Sequence, residues 1–347
     1  CVFDVVVSDN QSPVFTFCLS GNDQSVNTDQ GVNTYTHNGS GWDATATDND
    51  AVASLTYVLS GATTGSGSSL DGVVFNMGTT IVTWTATDNS GNTSECVFDV
   101  VVSDNQSPVF TFCLSGNDQN VNTDQGVNTY THNGSGWDAT ATDNDAVASI
   151  TYVLSGATTG SGSSLDGVVF NMGTTIVTWT ATDNSGNTSE CVFNVIVSDN
   201  QSPVFTFCLS GNDQSVNTDQ GVNTYTHHGS GWDATATDND AVASLTYVLS
   251  GATTGSGSSL DGVVFNMGTT TVTWTATDNS GNTSVCVFNV VVSDNQSPVF
   301  TFCLSGNDQN VNTDQGVNTY TLHGSGWDAT ATDNDAVASL TYVLSGA

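Results

Sequence analysis

The chain contains no lysine and no arginine. Of its 347 residues 34 are acidic, and only Glu95 and Glu190 are glutamates. Without a basic side chain to pair with, the carboxylates must stay hydrated, stand apart or be neutralised by cations. The same absence excludes nucleic acid as a partner, because binding to a phosphate backbone is driven by Lys and Arg releasing counterions. An anionic membrane surface is disfavoured on the same ground. No apolar run is long enough to cross a bilayer, so direct membrane insertion of this segment is not expected. No stretch shows the periodicity of an amphipathic helix. There is no GxSxG elbow and no persistent Ser/His pair, which leaves no enzymatic constellation. An initiator Met and a signal peptide are also missing, and the sequence reads as a window on a longer polymer of repeats.

Proline is scarce as well, and all four prolines fall in one hexapeptide. Ser-Asp-Asn-Gln-Ser-Pro occupies 8–13 and returns at 103–108, 198–203 and 293–298, each time 95 residues on. A fixed period of this size signals an array of equal structural units. Residues 1–7 are then the last strand of a preceding repeat, 8–102, 103–197 and 198–292 are whole repeats, and 293–347 is an incomplete fourth. The hexapeptide is the seam between them. It follows Val5-Val6-Val7, precedes Val14-Phe15-Thr16-Phe17, and ends in a proline that cannot donate to a sheet ladder. High acidity can mark disorder, but 37% of residues are hydrophobic and they alternate with polar ones, so each repeat can bury a core.

Within the first whole repeat, 14–19 reads as a strand, and Thr28-Asp29-Gln30-Gly31 as a turn. Residues 42–47 return with Trp42, Ala44 and Ala46 on the inner face and Asp43, Thr45 and Thr47 on the outer. Leu55, Tyr57 and Leu59 mark the next strand, and 60–69 is a Gly/Ser-rich loop. Strands over 73–75, 81–87 and 96–102 complete the repeat, with Val82, Trp84, Ala86, Phe98, Val100 and Val102 facing inward. Six or seven short strands in this length predict an all-β fold of tandem immunoglobulin-like β-sandwich repeats forming an extended rod. Each repeat is expected to add about 40 Å, from strands of seven to ten residues at about 3.3 Å each plus turns.

Pro13, Cys18, the run 75–82 (Phe-Asn-Met-Gly-Thr-Thr-Ile-Val), the run 85–92 (Thr-Ala-Thr-Asp-Asn-Ser-Gly-Asn) and Cys96-Val97-Phe98-Asp99-Val100 together resemble the hyalin-repeat (HYR) domain. The likeness covers every repeat. It implies an immunoglobulin-like fold in extracellular, often adhesive, tandem arrays. Long acidic bacterial arrays of this type resemble the stalks of giant surface adhesins, including those of gliding cells. Leu19 stands where the family often has proline, and its usual basic residues are missing. The wording of the seam, Asp-Asn-x-x-Pro-x-Phe, is also similar to that of cadherin junctions.

Eight cysteines recur two per repeat. A regular even pattern without CxxC spacing predicts disulfides and an oxidising compartment outside the cytoplasm, whether at a cell surface or in a secreted filament. Two pairings are open: within a repeat (Cys18 to Cys96) or across a seam (Cys1 to Cys18). The first is favoured, because the second needs a strand and the linker to fold back on themselves, whereas first and last strands of such sandwiches commonly neighbour one another. Cys113 to Cys191 and Cys208 to Cys286 follow by the period, leaving Cys1 and Cys303 without partners in this window.

In a sandwich of this strand order the entry segment and two inter-strand loops share one pole. Those segments carry Asp9 and Asn10, Asp48 and Asp50, and Asp88 and Asn89. Their equivalents are Asp104, Asn105, Asp143, Asp145, Asp183 and Asn184 in the second repeat, and Asp199, Asn200, Asp238, Asp240, Asp278 and Asn279 in the third. Asp294, Asp333 and Asp335 belong to the fourth. Calcium takes six to eight oxygen ligands, and Asp/Asn-rich turns supply them, so an inter-repeat calcium site is predicted. Asp, Asn, Ser and Gly also simply make good turns, which accounts for 88–92 without any ion.

His37 and His132 give way to the pair His227-His228 and then to Leu322-His323, so a variable surface turn is expected there rather than a metal or catalytic group. Trp42 and Trp84 read as core. Asn10, Asn38 and Asn92 fit the glycan acceptor pattern, which is short enough to arise by chance. The function expected is a stalk or filament shaft whose partners are neighbouring repeats and other filament chains. The alternative is a multivalent array that binds a glycan or surface ligand through each repeat.

Overall fold

A computed structural model describes residues 1–346. Among these residues every regular element is a strand. The first whole repeat holds β1 (Val14–Phe17), β2 (Gln24–Asn27), β3 (Thr34–Thr36), β4 (Thr45–Thr47), β5 (Val52–Gly61), β6 (Gly65–Gly67), β7 (Val74–Asn76), β8 (Gly78–Asp88) and β9 (Thr93–Ser103). A five-stranded sheet runs β2-β9-β8-β5-β6, with β2 parallel to β9 and the other neighbours antiparallel. The pairs β1-β4 and β3-β7 pack across the core from it. The second and third repeats have the same elements. In the fourth, Val299–Phe302 pairs with Thr330–Thr332.

The long strands form where β-branched and aromatic residues alternate with Thr and Ser, which suits a sheet with one buried face. Tyr57, Trp84 and Cys96 stand in one row across β5, β8 and β9. Trp84, Val82 and Ala86 are fully buried, as are Phe75 and Leu70, and Phe98, Val100 and Val102 line the next strand. Each large side chain taken out of water contributes about 1.5–3 kcal/mol. Tyr57 meets the indole edge-on, with ring centroids 5.3 Å apart. The end of β5 needs glycine: at Gly61, with φ +97°, a Cβ would lie 2.5 Å from the Thr79 carbonyl oxygen.

The predicted inward faces are the observed ones, and Trp42 is buried as expected. Element bounds differ. The first strand ends at Phe17, and only 45–47 of the expected 42–47 is strand, although Trp42 and Ala44 still point inward. β2, β3 and β6 carry no clear apolar alternation, and β6 lies inside the stretch expected to be loop.

Three disulfides join Cys18 to Cys96, Cys113 to Cys191 and Cys208 to Cys286, the favoured pairing, while Cys1 and Cys303 are free and exposed. The chain divides into two compact bodies. One is Cys1–Val121 with Thr129–Val197; the other is Asn122–Asn128 with the chain from Ser198 on.

Candidate metal centre

Asp9 precedes the first strand of its repeat, Asp48 follows β4, and Asp88 ends β8. The fold brings one carboxylate oxygen from each to within 4.8 Å of the others, and does the same for Asp104, Asp143 and Asp183 and for Asp199, Asp238 and Asp278. The third acid of each set is the most buried: Asp88, Asp183 and Asp278 are each 2% exposed.

Local hydrogen bonds hold these groups in place. Asp88 accepts from the Asn92 backbone N–H at 2.8 Å and from its side-chain amide at 2.7 Å. That amide also donates to the Asp9 carbonyl at 3.3 Å. Asp48 accepts from the Asp50 N–H at 2.9 Å, the turn by which an Asp caps its own loop. Asp9 accepts from the Gln11 N–H at 3.1 Å through Oδ1, while its Oδ2 is buried with no hydrogen-bond partner. Ala51, Ala146 and Ala241 close the loop behind Asp50 and its equivalents at φ 70°, 69° and 69°, a left-handed conformation that costs a residue with a Cβ.

Burial pushes the Asp88 carboxyl up, but the Asn92 amide and the N–H groups of Asn92, Ser90 and Gly91 outweigh it and leave it below the usual carboxylate range. Burial acts the same way on Asp104 and is again outweighed, by the Asn144 amide, the Gln106 N–H and the Thr28 hydroxyl. Asp199 follows the same pattern with Asn239, Gln201 and Thr123. Carboxylates gathered this close, in a chain with no basic side chain, form an all-oxygen donor set suited to a hard cation. At Asp104 and Asp199, which have a repeat before them, the equivalent Oδ2 accepts the Asn187 and Asn282 amides at 3.4 Å.

The other predicted ligands lie around the triads rather than in them. Asp50 accepts the Ser90 hydroxyl at 3.0 Å and its carbonyl accepts the Asn89 amide at 2.6 Å, so both residues brace the loop. Asp145 with Asn184, and Asp240 with Asn279, do the same. Asn10, Asn105 and Asn200 are exposed. In the fourth repeat Asp294 is held by Asn334 and Gln296, Asp335 is exposed, and Asp333 keeps a buried Oδ2 without a partner.

The histidines correct an expectation. His37, His132 and His227 are not on a surface turn; each is 5% exposed and stacked on Trp42, Trp137 or Trp232 at 3.8 Å. Only His228 and His323 are exposed. Sequence reasoning named Thr28 only as a turn residue and passed over Gln106 and Asn144, all three of which bond Asp104. The available signal was that this Gln, the Asn between the two loop acids and the Thr of the turn are unchanged in all four repeats.

No helix among the described residues is long and apolar enough to cross a membrane. The chain is 33% identical over 272 residues to hyalin of Strongylocentrotus purpuratus, covering 76% of this chain and 20% of that protein. To hyalin of Lytechinus variegatus it is 32% identical over 232 residues, covering 64% and 38%. It thus spans well under half of either relative. Among solved structures, mouse cadherin-23 EC22-24 aligns with 82% of this chain and all of its own at 18% identity, with a TM-score of 0.30. Residues 8–102, 103–197 and 198–292 each match the HYR domain, and the chain belongs to that family.

Proposed function

We propose that the chain is a length of structural stalk or filament shaft in an extracellular adhesive assembly, and that calcium at each acidic pole stiffens it. The observation that carries this reading is the same three-carboxylate cluster recurring at three poles beside the seams. Asp104, Asp143 and Asp183, with their equivalents, would hold the ion, and the rest of its six to eight oxygen ligands would come from carbonyls and water. The bound ion would supply the positive charge that no side chain provides. Near-identical repeats offer a scaffold rather than one distinctive pocket, and three disulfides suit an oxidising exterior. Placement at a cell surface, as in the adhesins of gliding bacteria, belongs to the same proposal.

The test compares melting in calcium, in chelator, and in sodium at matched ionic strength. A ligand bound only by the folded state raises stability by RT ln(1 + [L]/Kd). Calcium should raise the midpoint above matched sodium, and Asp88→Asn with its equivalents should abolish the difference. Coincident curves would leave only screening.

A second reading has one observation in its favour. Phe17 is 44% exposed, and Phe112, Phe207 and Phe302 are each 43% exposed, so the same ring faces solvent on every repeat. Such rings could stack on a sugar or surface ligand and act through multivalency. Loss of surface binding in a Phe17→Ser, Phe112→Ser, Phe207→Ser and Phe302→Ser variant would support it.

A further inference from the structure

We propose that the turn at 28–32 of each repeat is a docking surface whose partner is the repeat that follows, recognised through three side chains and without an ion. This rests on the shaft reading for its purpose, but not on calcium.

The contacts are specific. Gln106, in the seam, uses its whole amide on the turn: Oε1 accepts from the Gly31 N–H at 2.7 Å, and Nε2 donates to the Thr28 hydroxyl at 2.9 Å and the Asp29 carbonyl at 3.0 Å. Asp104 Oδ1 accepts the Thr28 hydroxyl at 2.9 Å, and the Thr28 N–H donates to the Ser103 carbonyl at 3.0 Å. Asn144, a loop residue of the next repeat, then closes the joint. Its amide donates to Asp104 Oδ1 at 2.9 Å and to the Val32 carbonyl at 3.2 Å. One carboxylate oxygen therefore receives donors from the turn behind it and the loop ahead of it.

The set recurs with Gln296, Asp294 and Asn334 on the turn at 218–222. Gln201, Asp199 and Asn239 likewise bond residues 123–127. Gln106, Gln201, Gln296, Asn144, Asn239 and Asn334 are all half-buried. Wherever a turn precedes them in this chain, these residues are its partners. The turn's sequence, Thr-Asp-Gln-Gly-Val, is identical at 28–32, 123–127, 218–222 and 313–317, so the surface accepts any repeat carrying Asp-x-Gln at its seam and Asn between the two loop acids.

Methionine matches glutamine in length and lacks its donors and acceptor. The experiment images the full chain by electron microscopy in chelator, as the parent and with Gln106→Met, Gln201→Met and Gln296→Met together. The spread of bend angles at the seams should at least double in the variant, while near-ultraviolet dichroism and melting of the sandwiches stay the same. A Gln106→Glu, Gln201→Glu and Gln296→Glu variant keeps an acceptor for Gly31 but loses both donations, and should bend as freely. An unchanged spread in the Met variant, or a parent already as loose in chelator, would overturn the proposal. Neither outcome depends on whether calcium changes melting, so the two readings fail separately.

Discussion

His37 lies flat on Trp42, ring centroids 3.8 Å apart and planes within 10°. Both imidazole nitrogens are buried and neither makes a well-formed hydrogen bond. Burial lowers the histidine's pKa, and although the Gly39 backbone, Asp43 and Asp71 pull the other way, burial prevails. His132 and His227 behave alike. A group that is harder to protonate folded than unfolded costs nothing at high pH. As pH falls below about 6.5, the unfolded chain takes up the proton first and the fold loses stability. Thermal midpoints should hold steady from pH 8 to about 7 and decline below about 6.5. His37→Leu with His132→Leu and His227→Leu should flatten that decline. Acid loss of the depressed carboxylates Asp88, Asp104 and Asp199 sets in lower, as pH falls through the ordinary aspartate range, where the unfolded chain takes up the proton first, and continues below it, so the two phases are separable.

Each disulfide closes a chain separation of 78 residues. Loop-closure entropy puts its contribution at about 4 kcal/mol. A Cys113→Ala/Cys191→Ala variant should unfold its repeat at markedly lower urea while the other two keep their midpoint, which gives a second transition by tryptophan fluorescence.

Ala51, Ala146 and Ala241 sit at positive φ beside the acidic pole. Replacing all three with glycine should stabilise each repeat by up to about 1 kcal/mol, since the left-handed backbone costs alanine that much. Calorimetry would register the gain as a higher midpoint. A lower one would mean that glycine's extra freedom in the unfolded chain outweighs the relief.

Asn194 and Asn289 donate their amides to Asp118 and Asp213 at 3.1 Å, but in the first repeat Asp99 faces Asp23 with no such donor. Asp99→Asn should therefore raise the stability of the first repeat toward that of the others, most of all at low salt. An identical melt in the variant would show that the two carboxylates do not interact.

The period and the alternation of Trp84, Phe98 and Val100 made the fold legible, because a half-buried strand writes its geometry into every second residue. β2, Gln24–Asn27, was not legible: its residues are mostly polar, and it is held by parallel bonding to β9. The acidic pole could be located from loop position, which gathered Asp9, Asp48 and Asp88 but could not tell that Asn89 and Asp50 bond each other. His37 misled because histidine is usually polar surface. Its replacement by Leu322 in the fourth repeat was a sign of an apolar slot.

The Cys18–Cys96 bond lies close to where the chain enters and leaves its repeat. A pull on the chain therefore passes from Pro13 through β1 to Cys18, crosses the sulfur bridge, and departs along β9 to Ser103. The covalent path bypasses the residues between the two cysteines, so the chain stays connected by covalent bonds even if those residues unfold. Ruptured repeats can release only their short ends, whereas a reduced repeat would pay out about 260 Å of extra slack, at about 3.3 Å for each residue freed. The covalent bridge makes each repeat a link of nearly fixed length under tension.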